Sequence, residues 1–133
     1  MRRVAWLGAW LVTVAAAAQG PAPAEAAERE VVLAWALLGP LSARYEAAHP
    51  DVQAARRALD EAIARADTAP GAVDRAQLSA WVRERIAEVD ARLAEMRASC
   101  RGGPPDVRGA QARRSALVDA LDAIEAHGRF RPR

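Results

Sequence analysis

Lysine is absent from this sequence, and cysteine, tyrosine and phenylalanine occur once each. A single cysteine, Cys100, cannot form an internal disulfide, which excludes a disulfide-stapled scaffold. All 19 basic residues are arginine and 35 of the 133 residues are alanine, the usage of a GC-rich genome, so no one arginine carries meaning by its identity. Large apolar side chains are scarce: from Gln19 onward only 25 of 115 positions are Val, Ile, Leu, Met, Phe, Trp or Tyr. Alanine buries little area, so the hydrophobic fraction of 52% overstates the core. Narrow apolar stripes of this kind suit helical hairpins or a coiled coil that gains burial from a partner.

An excess of one charge sign is missing too. The net charge of +2 comes from Arg2 and Arg3, and the rest of the chain balances 17 Arg against 17 Asp and Glu. A neutral body excludes nucleic acid as the partner, because that binding needs a basic excess to release counterions.

What is present begins with a three-part leader. Met1-Arg2-Arg3 is basic, Val4 to Val14 is apolar, and small residues stand at Ala16/Ala18 and at Ala24/Ala26. This is the pattern of a secretory signal peptide covering residues 1–18, or reaching 26 if the second site is cut. The rival reading is an uncleaved inner-membrane anchor over residues 4–24, although Gln19, Gly20, Pro21 and Pro23 spoil its end. The leader implies a periplasmic or secreted protein, with no membrane span once it is removed.

Past the leader every apolar pattern has helical period, and the expectation is an all-α fold of helical hairpins, a small bundle or a coiled coil over residues 27–128. Residues 19–26 read as a linker. The spacing predicts helices over 27–48, 50–66, 74–100 and 110–127, and a basic tail over 129–133. Gly39-Pro40 should kink or split the first helix. Pro50 should open the second, in the first turn where its missing N–H costs nothing. Asp74-Arg-Ala-Gln77 resembles a capping box at the start of the third. Arg101 to Gly109, with two glycines and two prolines in succession, reads as a loop, and Gly128 as the cap that ends the fourth helix.

The third helix carries the longest stripe. Val82, Ile86, Val89, Leu93, Met96 and Cys100 follow a heptad-like seam, a candidate interaction surface for a homodimer. Cys100 either bridges two copies as a disulfide or stays an unpaired thiol near the helix end.

Between Leu41 and Leu59 the chain carries Tyr45, His49, Pro50 and Val52 and then the basic pair Arg56-Arg57. This stretch resembles part of the polysaccharide chain-length determinant (co-polymerase) family, in which a helix ending in Tyr and a His-Pro-x-Val step lead into a second helix of a periplasmic coiled-coil hairpin. The resemblance spans about 20 residues, and this chain is far shorter than members of that family. It implies a helix-kink-helix at His49-Pro50 and a link to envelope polysaccharide export.

No catalytic, cofactor or metal constellation is visible. His49, Cys100 and His127 are isolated in sequence, with none of the paired spacings that zinc ligands show. The row Asp119, Asp122 and Glu125 could attract a cation, but it reads first as a solvated helix face. Arg108, Arg113 and Arg114 could touch anionic envelope polymers or lipid headgroups, and equally read as ordinary surface charge. The functional expectation is a non-enzymatic, exported α-helical interaction or scaffold protein of a bacterial envelope, acting on itself or on an envelope protein partner. The alternative is an accessory of envelope polysaccharide export related to the chain-length determinants.

Overall fold

A computed structural model describes residues 20–99 and 103–133. The leader at residues 1–18 and Cys100 lie outside the described residues. The fold is all-α, and among the described residues it comprises α1 (Pro23–Arg44), α2 (Pro50–Thr68), α3 (Arg75–Ser99) and α4 (Pro104–His127). None of these helices is long and apolar enough to cross a membrane.

Each boundary has a local cause. α1 starts at Pro23, inside the expected linker, because its first turn is docked rather than free: the Ala24 N–H donates to Pro70 O at 3.1 Å, and Ala24 and Ala27 are buried. It then runs through Gly39-Pro40 without splitting and ends at Arg44, where Tyr45 turns extended. α2 opens on Pro50, and the His49 side chain caps it: Nδ1 accepts from the Asp51 N–H at 3.2 Å. At the start of α3, Asp74 Oδ1 accepts from the N–H groups of Ala76 and Gln77 at 2.9 and 3.1 Å. This meets two of the donors that a helix start leaves without intrahelical partners.

α4 begins six residues before the expected Ala110. Pro104 and Pro105 fall in its first turn, where an amide N–H would have no intrahelical acceptor, so the proline pair starts a helix instead of holding a loop. Gly128 ends it in the left-handed region at φ 79°, with its N–H donating to Ile124 O.

The helices alternate up and down. α2 lies against α1, α1 against α4, and α4 against α3. Gly39 sets the closeness of the α1–α4 pair: a Cβ there would stand 3.1 Å from Ala112 O and 3.4 Å from Ala116 Cβ. One core joins Val31, Val32, Ala36, Val52, Leu59, Leu78, Val82, Leu117 and Ile124. Contributions from all four helices let 25 large apolar residues suffice.

One expectation needs correction here. The α3 seam is not a free surface: Val82, Val89 and Leu93 belong to the shared core with α4, and Ile86 and Met96 are half-buried. The stripe that looked unpartnered in sequence is covered by the chain's own last helix. The basic tail at 129–133 is packed against the bundle. Phe130 is 4% exposed, and Arg131 is tied to α1 and α2.

Candidate functional site

At one end of the bundle the C-terminal turns of α1 and α3 meet the N-terminal turns of α2 and α4. They surround an open cleft of about 900 Å³. Leu41, Tyr45, Val89, Met96 and Ala110 supply its apolar lining. Its charged lining is Arg44, Arg92, Arg108 and Arg113 with Asp51, Glu95 and Asp106.

These four arginines have no ion-pair partner among the described residues. Arg44 instead lies over the Tyr45 ring, 5.3 Å from its centroid. Outside the cleft Arg65 pairs with Glu30 at 3.2 Å, Arg83 with Glu125, and Arg114 with Asp90 at 2.6 Å, whereas Arg56, Arg57, Arg97, Arg129 and Arg133 stand on the surface without an ion pair among the described residues. The hydrogen bond to Asp90 pushes the Arg114 guanidinium above its ordinary value. The cleft thus combines apolar surface with guanidinium donors free to meet a carboxylate, phosphate or sulfate.

The helix-kink residues form one wall of this end. The Tyr45 and His49 rings stack at 4.0 Å with 15° between their planes, which fixes the chain reversal between α1 and α2. Pro50 is the first residue of α2, and Val52 is fully buried in the core. The four therefore divide: Tyr45 lines the cleft, His49 and Pro50 start a helix, and Val52 is packing.

The opposite end carries a second constellation, which sequence reasoning missed. Past Gly128 the chain turns back along α1, and Phe130 meets Trp35 with ring centroids 5.7 Å apart at 59°. Arg131 then donates from Nη1 and Nη2 to the two Glu28 oxygens at 2.9 and 2.8 Å, and from Nε and Nη2 to Asp67 Oδ1 at 3.1 and 2.8 Å. Its guanidinium is pushed above the ordinary value, first by the Glu28 hydrogen bond, which outweighs the opposing effect of burial, and then by Asp67. One signal could have found it: a lone Phe two residues after a glycine helix stop, in a chain short of large apolar groups, is a hydrophobic contact waiting for a helix.

Near this end Trp81 lies between two guanidinium groups, Arg29 at 5.2 Å and Arg85 at 5.7 Å from the ring centroid. Glu25, buried on α1, pairs with Arg29 at 2.6 Å. These contacts join α1 to α3 and account for a buried carboxylate without assigning it chemistry. The acidic row on α4 does not converge on a site: Asp119 and Asp122 are exposed and Glu125 is held by Arg83. Among the described residues no group of three His, Cys, Asp or Glu could hold a metal ion.

No family model, no curated protein and no solved structure matches this chain.

Proposed function

We propose that this chain is an exported, non-enzymatic α-helical interaction protein of a bacterial envelope, and that its working surface is the cleft where α1 and α3 end and α2 and α4 begin. The observation that supports this reading is the cleft's composition: an apolar floor ringed by four arginines and three carboxylates, with none of the four arginines in an ion pair among the described residues. Such a surface suits a partner that presents an apolar patch flanked by acidic groups. The leader supplies the compartment, periplasmic or secreted.

The alternative, an accessory of envelope polysaccharide export, draws on the same place. Tyr45 offers a ring face, and Arg44, Arg92, Arg108 and Arg113 offer guanidinium groups, a combination suited to an acidic sugar polymer.

A photo-reactive residue at Met96, on the cleft lining, and another at the exposed Leu37 test this in the native host. The proposal expects one discrete protein adduct from Met96 in the envelope fraction and none from Leu37. No protein adduct, together with direct binding of an acidic polysaccharide that Arg92→Glu/Arg113→Glu abolishes, supports the alternative. No adduct and no polysaccharide binding overturns both.

A further inference from the structure

The C-terminal tail is seated as a ligand is seated. Its aromatic residue has a ring to lie on, Trp35, and its arginine has two carboxylates, Glu28 on α1 and Asp67 on α2, meeting three of its nitrogens. Glu28 is 4% exposed, so the seat holds a desolvated negative charge that requires a cation. Beyond Arg131 the seat continues into an open groove of about 360 Å³, where Trp35, Leu38, Leu59 and Ile63 face Pro132 and Arg133.

The occupant is lightly tethered. Gly128 sits in the left-handed region and leaves the helix at once. Among the described residues no backbone N–H of 129–133 donates to another backbone group. Side chains alone hold the tail, chiefly Phe130 and Arg131.

We propose that this seat also accepts the tail of a second copy, so that two molecules associate by exchanging residues 129–133 between their α1–α2 grooves. The inference rests on the reading above that the protein acts through association, and it replaces the α3 seam as the self-association surface. The charge complementarity is already demonstrated by the tail in cis, and the second copy carries the same Phe130-Arg131 pair. Exchange of an identical element is a low-cost route to a dimer. Arg131 lies three residues past Gly128, a reach of about 10 Å for extended chain. The two bundles therefore meet tail end to tail end about a twofold axis. The cis arrangement dominates in dilute solution, because a short tether gives the chain's own tail a high effective concentration.

Two complementary variants test this. Arg131→Glu disables the tail and leaves the seat intact; Glu28→Gln/Asp67→Asn disables the seat and leaves the tail intact. Each should sediment as a monomer alone, and their mixture should form a species of twice the mass. A mixture that sediments only as monomers at every concentration overturns the proposal. The second measurement titrates Arg131→Glu with the synthetic peptide Gly-Arg-Phe-Arg-Pro-Arg, read by tryptophan emission and by melting temperature, so that a poorly folded variant still reports. The expected result is saturable binding with a rise in melting temperature, about tenfold weaker when the peptide's second arginine is alanine. No binding, or equal binding of both peptides, overturns it. Loss of tail exchange with the Met96 adduct intact sinks this inference alone; loss of that adduct with exchange intact sinks only the protein-partner reading of the cleft.

Discussion

Arg131 reaches back 103 positions along the chain to Glu28 and meets both of its carboxylate oxygens, while Asp67 holds the same guanidinium from α2. The pair closes the molecule, joining the residue after the last buried aromatic to the first turns of α1. Removing one partner leaves a carboxylate buried without its cation, which is worse than never having had the pair. Arg131 is partly exposed, so the cost falls below that of a fully enclosed pair: Arg131→Ala should lower stability by about 2 kcal/mol. Glu28→Met/Arg131→Met should recover most of that loss, and a double-mutant cycle by urea denaturation measures it. A raised guanidinium pKa contributes stability that is complete below the unfolded value and lost only as pH rises through the folded value. The Arg131 contribution should accordingly be flat across the neutral range, and a drop in that contribution on Arg131 titration near pH 8 would contradict this.

Two glycines on facing helices should respond in opposite directions to the same substitution. Gly39→Ala adds a Cβ 3.1 Å from a backbone carbonyl, that of Ala112, which cannot swing aside as a side-chain tip can. Its cost, about 1–2 kcal/mol net of the gain in helix propensity, should appear as a lower melting temperature. Gly109→Ala meets only Pro40 Cβ, at 3.8 Å, in ordinary contact. It should stabilise α4 by about 0.5–1 kcal/mol.

Asp74→Ala removes the acceptor for two amide donors at the start of α3. It should cost about 1 kcal/mol, and Asp74→Asn should restore most of it, since an amide oxygen also caps. Thermal melts of the two variants side by side decide the matter.

Val82→Asp separates the core reading of α3 from the seam reading. At 0% exposure Val82 is an interior residue of the monomer and lies away from the arginine-lined cleft. The substitution buries a charge in the apolar core and should unfold the isolated chain or cost about 3 kcal/mol or more. Circular dichroism of dilute protein reads this directly. Full helicity in the variant, with only its association lost, would return the seam to the surface.

Helical period made the all-α fold legible, and the signals that fix single backbone states placed its most certain boundaries: Pro50 at a first turn, Asp74 as a cap, Gly128 as a stop. The errors have one physical origin. Amphipathic pattern says that a stripe is buried and does not say against what, so Val82, Val89 and Leu93 looked like an interface when α4 covers them. Pro104-Pro105 was ambiguous for a related reason: proline excludes a helix interior and favours a helix start, and only the α1–α4 packing selects between them. Arg108 and Arg113 were visible as candidates for an anionic contact, but their meeting with Arg92 and Arg44 around one cleft depends on how four helix ends are brought together. Arg131 and Glu28 lie too far apart in sequence for any local pattern to pair them.

Sedimentation of the protein over a wide concentration range, with and without reductant, tests most directly whether the α3 stripe is closed within the chain and association uses the tail. Wild type, Arg131→Ala and Cys100→Ser are run together. The account predicts a monomer at low concentration and a dimer at high concentration that ignores reductant, survives Cys100→Ser and is lost in Arg131→Ala. A dimer that persists in Arg131→Ala and disappears with reductant or with Cys100→Ser would contradict it and return the interface to Val82, Val89 and Leu93.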